Sequence, residues 1–136
     1  MRQRVEMGLA FGLAVVLGAN ALAMLLAGSW WYAAVPGVVA TGPYNAHFVM
    51  DIGAAYLVCA AGLSAFAAWP VRAFPTLVLV VGFLGLHAAI HLIEALGSPA
   101  CGHDLVRDLP SVFLPALISA GLVASRLAAP TELGHA

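Results

Sequence analysis

The chain has 136 residues, of which 63% are hydrophobic and 8% are charged, with five basic and six acidic side chains and a formal net charge of −1. Soluble domains carry about 25% charged residues, so this composition excludes an ordinary soluble fold and a disordered chain. The balanced charge excludes a basic nucleic-acid binder, and we expect no contact with nucleic acid. The sequence therefore predicts an integral membrane protein.

Four apolar segments are long enough to cross a bilayer, whose hydrocarbon core needs about 20 helical residues. In chain order they cover approximately residues 7–27, 46–69, 76–96 and 109–129. Short links between consecutive segments favour antiparallel neighbours, and the chain is too short for a second domain. We predict an all-α, polytopic fold in which residues 1–136 form a single antiparallel bundle of four transmembrane helices.

The arginines predict how this bundle is oriented. Arg2, Arg4, Arg72 and Arg126 fall on one side of the predicted membrane, and only Arg107 falls on the other. Cytoplasmic loops carry an excess of Lys and Arg, so both termini are predicted to be cytoplasmic. We expect a multi-pass protein of the cell inner membrane, with the lipid bilayer as its first partner.

The polar residues concentrate at the outer end of this bundle. They are His47 and Asp51 on the second helix, His87, His91 and Glu94 on the third, and His103 and Asp104 in the following loop. At about 100° per residue, the members on each helix share one face of that helix. Ionisable side chains that face lipid are costly, so we expect both faces to turn inward and meet.

This cluster has the composition of a metal site. Imidazole and carboxylate groups on facing helices bind zinc, copper or iron in helical bundles. We predict that the seven residues are candidate ligands of a transition metal or metal cofactor, in an accessory to a redox or transport complex. Haem held between His47 and either His87 or His91 is the less favoured form of such a site.

Two other interpretations remain open. The same residues would serve equally as a bracing hydrogen-bond network in a structural or assembly subunit of a larger membrane complex or homo-oligomer. Alternatively, a membrane enzyme or carrier would use a His–carboxylate proton relay, which requires a polar cavity reaching Asp51 and His87. Its ligand would be a quinone, a lipid or a small solute. The sequence contains no established catalytic motif, so enzymatic activity is left undecided.

Smaller features have structural interpretations. Asn45 and Asp108 precede helical segments, and each is predicted to be an N-cap, with Pro110 in the first turn after Asp108. Pro115 lies deeper in the fourth segment and predicts a kink. The uncharged stretch from Trp30 to Tyr44 is predicted to be an interfacial loop, with a lid over the polar cluster as the alternative.

The string Thr41-Gly-Pro-Tyr-Asn-Ala-His-Phe-Val-Met-Asp-Ile-Gly-Ala-Ala-Tyr-Leu57 resembles one found in uncharacterised small bacterial membrane proteins. In size and four-helix layout, the whole chain resembles the DoxX-like group. This resemblance implies a bacterial inner-membrane setting. It implies no catalytic or binding residue.

Overall fold

The computed structural model describes residues 1–97 and 104–128. Within these ranges, four helical segments are long and apolar enough to cross a membrane: Arg2–Leu26, Ala46–Ala68, Phe74–Gly97 and Leu105–Leu127. The four spans expected from the sequence are therefore confirmed. The first and the fourth begin about one helical turn earlier than predicted.

The first three spans are continuous helices, and the fourth is interrupted. In chain order the elements are α1 (Arg2–Leu26), α2 (Gly28–Ala34), a 3₁₀ turn (Val38–Thr41), α3 (Ala46–Ala68) and α4 (Phe74–Gly97). The fourth span consists of α5 (Leu105–Asp108), a π-helical turn (Leu109–Phe113) and α6 (Leu114–Leu127).

Of the two predicted N-caps, the structure confirms one and contradicts the other. Asn45 caps α3, since its side-chain oxygen accepts a hydrogen bond from the Phe48 N–H at 3.1 Å. Asp108 makes no side-chain capping bond, so its predicted role was wrong. Asp104 caps the fourth span instead and accepts from the N–H groups of Val106 and Arg107 at 2.8 and 3.0 Å.

The core lies where α3 packs between α1 and α4, and α4 in turn packs against α6. The most deeply buried large side chains are Met24, Leu63, Phe66, Leu77 and Leu84. The helices α1 and α3 approach each other closely at Gly53. A Cβ atom there would lie 2.9 Å from the Met24 Cβ and 3.4 Å from the Ala21 carbonyl oxygen. Small residues permit such close backbone contacts between membrane helices.

A single wide turn breaks the fourth span. The Leu114 N–H donates to the Leu109 carbonyl, five residues earlier, as in a π-helix. Pro115 follows this turn, and it has no N–H to donate to the Ser111 carbonyl, with which its ring would clash in a regular α-helix. A kink was predicted at Pro115, and the irregularity that the structure shows is an extra residue in the turn before it.

The bundle is closed at one end by an ion cluster between α1 and α6. The buried Glu6 carboxylate accepts hydrogen bonds from Arg2 Nε at 3.1 Å and from the Ser125 hydroxyl at 2.6 Å. Arg126 Nη2 lies 2.8 Å from the other Glu6 oxygen, and the Arg126 guanidinium sits 5.3 Å from the Phe66 ring centroid. The Arg126 contact is an ion pair without hydrogen-bond alignment, since Nη2 makes no hydrogen bond within the described residues.

Candidate functional site

A cavity of about 230 Å³ lies at the end of the bundle remote from Glu6. All four spans contribute to its wall, together with the segment between α1 and α3. Most of the lining is apolar, including Leu17, Met24, Ile52 and Val112. The polar side chains that line it are Asn20, Tyr56, His87, His91, Arg107 and Asp108, with Trp31, Thr41 and Ser111.

The centre of the polar wall is a chain of three side chains from α4 and α5. His91 Nδ1 lies 2.9 Å from Asp108 Oδ2, and Arg107 Nε donates to Asp108 Oδ1, also at 2.9 Å. The Asp108 side chain is only 8% exposed, against 18% for His91 and 30% for Arg107. A buried carboxylate is tolerated only when it is paired and hydrogen-bonded, and these two partners meet that requirement.

His87 extends the polar wall by one helical turn and is held by aromatic rings. It stacks on Phe83 at 6.1 Å between centroids, with an interplanar angle of 8°, and meets the edge of Tyr56 at 5.9 Å. The His87 and His91 rings are 4.7 Å apart at an interplanar angle of 63°. The predicted shared face of these two histidines is therefore present, and it turns toward the cavity.

Asn20 connects α1 with the segment that follows it. Its side-chain oxygen accepts a hydrogen bond from Trp31 Nε1 at 2.8 Å, and its amide nitrogen donates to the Met24 sulfur at 3.5 Å. Both Asn20 and Trp31 line the cavity. A single polar residue in the middle of an apolar helix is the sequence signal for such a position, and Asn20 lies in the cavity wall.

The segment between α2 and α3 covers the cavity instead of lying apart as a simple interfacial loop. Val35, Gly37 and Thr41 contribute to the lining. Gly37 adopts a left-handed conformation with φ +87°, and a Cβ atom there would overlap the Arg107 guanidinium. This position therefore requires glycine both for its backbone conformation and for the approach of Arg107.

Replacing Gly37 with alanine should lower the free energy of unfolding by about 2 kcal/mol, because the left-handed conformation costs an L-residue about 1–2 kcal/mol and Arg107 must also move. Thermal unfolding in detergent measures this loss. Gly82→Ala on α4 is the control, since a Cβ atom there meets no neighbour within 4 Å. Equal stability of the two variants would contradict both the left-handed conformation of Gly37 and its close contact with Arg107.

His47 and Asp51 do not join this site, which corrects the expectation that both polar faces turn inward. His47 Nε2 lies 3.4 Å from Asp51 Oδ2, and their side chains are 89% and 60% exposed. The two residues share a face of α3, as predicted, but that face points away from the core of the bundle. The cavity is bordered by Ile52 and Tyr56, which lie on a different face of the same helix.

Three predicted ligands remain: Glu94, His103 and Asp104. Glu94 is half-buried beyond His91 and is not among the described residues that line the cavity, while Asp104 is exposed and acts as a cap. His103 lies outside the described residues. Across residues 1–97 and 104–128, no three His, Cys, Asp or Glu side chains are grouped as metal ligands. The seven-residue metal site stays a prediction.

Asp108 is the cavity residue whose role the sequence analysis predicted wrongly. It precedes Leu109-Pro110, a pattern typical of a helix start, and this favoured a capping role.

No protein-family model, no curated protein and no solved structure matches the chain. The site is therefore defined by its own geometry, and the resemblance to the DoxX-like group stays a prediction.

Proposed function

We propose that this multi-pass membrane protein binds a neutral, mostly apolar small molecule in its cavity and exchanges a proton with an oxygen of that molecule through His91. The observation that carries the proposal is the 2.9 Å contact between His91 and Asp108 in the cavity wall. A pocket with an apolar lining and a few convergent polar groups is typical of small-molecule sites.

The charges of the site favour a neutral ligand. Arg107 and Asp108 neutralise each other at 2.9 Å, so the wall offers no uncompensated charge to an anion or a cation. Asn20 and His91 supply hydrogen-bonding groups, while Leu17, Ile52 and Val112 surround the apolar body. A charged ligand would have to be desolvated without gaining an opposite charge, which is unfavourable.

Proton exchange follows from the pairing of His91 with Asp108. A carboxylate on one imidazole nitrogen holds the ring in one orientation and stabilises the imidazolium that forms when the ring takes up a proton. This is the relay considered from the sequence, with Asp108 in the place expected for Asp51. Arg107 donates a hydrogen bond to the other oxygen of the Asp108 carboxylate, which therefore stays paired whether or not His91 carries the proton.

The proposed setting is the bacterial inner membrane, with an antiparallel bundle and both termini in the cytoplasm. The distribution of the arginines supports this orientation. The contact between Glu6 and Arg126 supports placing both termini on the same side, because it brings the start of α1 and the end of α6 together. The cavity would then open toward the outer face.

Duroquinone, a tetramethylated benzoquinone, is a suitable probe because durene has the same ring and methyl groups without the two oxygens. Trp31 lines the cavity and reports binding by fluorescence quenching once Trp30 and Trp69 are replaced by phenylalanine. We expect saturable quenching by duroquinone and weak displacement by durene. His91→Gln replaces the imidazole by an amide whose hydrogen-bonding atoms lie elsewhere, so binding should weaken about tenfold, equivalent to about 1.4 kcal/mol.

His47→Gln is the matched control, since it makes the same change at an exposed histidine. It should bind duroquinone like the parent protein. Equal affinities for duroquinone and durene would contradict recognition of an oxygen. Equal affinities in His91→Gln and His47→Gln would show that His91 does not contact the ligand.

A transition-metal site at His87 and His91 is the second candidate function. The observation that favours it is the 4.7 Å separation of the two rings, with Asp108 on His91 Nδ1 in the manner of a carboxylate that orients a ligating histidine. Metal analysis of detergent-purified protein tests it. Metal content that is unchanged when His87 and His91 are both replaced by alanine would exclude this candidate.

A further inference from the structure

An open groove of about 480 Å³ lies between the first half of α1 and α6, and it shares no lining residue with the cavity beside His91. Val5 and Leu9 form part of its wall, and both are exposed. The helix α1 and the fourth span are each long and apolar enough to cross a membrane. A groove that is open on the outer surface of two such helices faces lipid.

The walls of this groove change from polar to apolar with depth. At the mouth, Arg2 Nη2 donates a hydrogen bond to the Ser125 carbonyl oxygen at 3.1 Å, which joins the start of α1 to the end of α6. Leu9 and Ile118 line the groove seven residues further from the mouth, about 10 Å along their helices. The groove therefore has a polar end and an apolar interior.

The polar end carries an excess of positive charge. The single Glu6 carboxylate lies 3.1 Å from Arg2 Nε and 2.8 Å from Arg126 Nη2, so one acid faces two guanidinium groups. The Arg2 side chain is 59% exposed, against 19% for Arg126, so the excess charge is accessible at Arg2. Among the described residues, Arg2 Nη1 has no hydrogen-bond partner. An anion beside Arg2 would gain both an opposite charge and N–H donors.

We propose that this groove binds an anionic phospholipid, with one acyl chain between α1 and α6 and the phosphate beside Arg2. Water in an apolar groove that faces hydrocarbon lacks hydrogen-bond partners, so an acyl chain is the occupant that the bilayer supplies. Basic pockets between membrane helices bind lipid headgroups, and the guanidinium fork matches phosphate oxygens.

The charge at the mouth distinguishes between headgroups. A zwitterionic headgroup carries an ammonium group that meets the same positive charge at Arg2, whereas an anionic headgroup balances it. The polar-to-apolar order of the walls matches the order of phosphate and acyl chain in a phospholipid. The inference is independent of the ligand proposed for the cavity.

Gly121 permits a direct test of the acyl-chain site. It lines the groove, and a Cβ atom there meets no neighbour within 4 Å. Gly121→Leu should therefore fill the groove and leave the core packing unchanged. Gly82→Leu on α4 is the matched control, because Gly82 has the same free space and is not among the residues that line the groove.

Native mass spectrometry in detergent compares dioleoylphosphatidylglycerol with dioleoylphosphatidylcholine, which share their acyl chains and differ in headgroup charge. We expect the parent protein to bind the anionic lipid about fivefold more tightly, equivalent to about 1 kcal/mol for one arginine near a lipid phosphate. Gly121→Leu should weaken the binding of both lipids about tenfold, the effect of about two acyl methylene groups leaving the groove. Equal affinities of the parent for the two lipids, or equal affinities of the two glycine variants, would overturn the proposal.

Replacing Arg2 separates a headgroup site from general surface charge. Arg2→Gln should reduce the preference for the anionic lipid to less than about twofold, whereas Arg2→Lys keeps the charge and should retain most of it. Arg4→Gln is the matched control, since Arg4 is exposed on the same helical turn and is not among the residues that line the groove. Circular dichroism checks the helical fold of each variant. An equal loss of preference in Arg2→Gln and Arg4→Gln, or no loss in a folded Arg2→Gln, would contradict a phosphate site at Arg2.

Discussion

Replacing Asp108 with alanine is expected to lower the free energy of unfolding by about 3 kcal/mol and to remove duroquinone binding. The side chain is buried and pairs with both His91 and Arg107 at 2.9 Å. Removing one partner of a buried ion pair leaves the other charge uncompensated, which costs about 3–5 kcal/mol. We expect the lower end of this range, because Arg107 is nearly one-third exposed.

Unfolding in mixed detergent micelles measures the loss, and Asp104→Ala provides the matched control. Asp104 is an exposed cap four residues earlier, so its replacement should cost about 1 kcal/mol and leave ligand binding unchanged. Adding Arg107→Leu to Asp108→Ala should recover part of the stability, since no buried charge then lacks a partner. If Asp108→Ala and Asp104→Ala unfolded alike, the proposed buried ion pair would be disproved.

Replacing Glu6 with alanine is expected to cost about 3 kcal/mol at the other end of the bundle. The Glu6 carboxylate is buried, and its oxygens lie 2.6–3.1 Å from polar side-chain atoms of Arg2, Ser125 and Arg126. Without the carboxylate, the mostly buried Arg126 guanidinium loses its counter-charge and α6 loses its polar attachment to α1. Because this end is remote from the cavity, the loss should appear in stability and leave the affinity for duroquinone within about twofold.

Two further substitutions test whether the loss of stability follows the loss of the Glu6 charge. Glu6→Gln keeps hydrogen-bonding atoms beside Ser125 but removes the charge, so its stability should lie between those of the parent and Glu6→Ala. Arg4→Ala removes an exposed charge from the same helical turn and should change stability by less than about 0.5 kcal/mol. Comparable stability of Glu6→Ala and Arg4→Ala would argue against the ion cluster.

The spans were predictable because hydropathy over about 20 residues is a property of the chain alone. Asn45 was also predictable as a cap, since Asn next to an apolar helix has few other roles. The start of the fourth span was not. Asp104 and Asp108 both precede a helical segment, and the choice between them depends on the π-helical turn, which tertiary packing stabilises.

The site was predicted in part. Spacing placed His87 and His91 on one face, and that face does line the cavity. Spacing also placed His47 and Asp51 on one face, but it does not define which face of an almost uniformly apolar helix packs inward. The face of α3 that packs against α1 includes Gly53, and a glycine gives little hydropathy signal. Asp108 pairs with His91 across 17 positions of the chain, a contact that no local pattern reports.

The position of Arg107 links the cover of the cavity to its charge. The same guanidinium lies against the Gly37 backbone and balances the Asp108 carboxylate. Any movement that lifts the covering segment away from the cavity therefore changes the surroundings of the counter-ion of Asp108. The position of the Arg107 side chain therefore affects both the packing of the covering segment and the electrostatic field around His91.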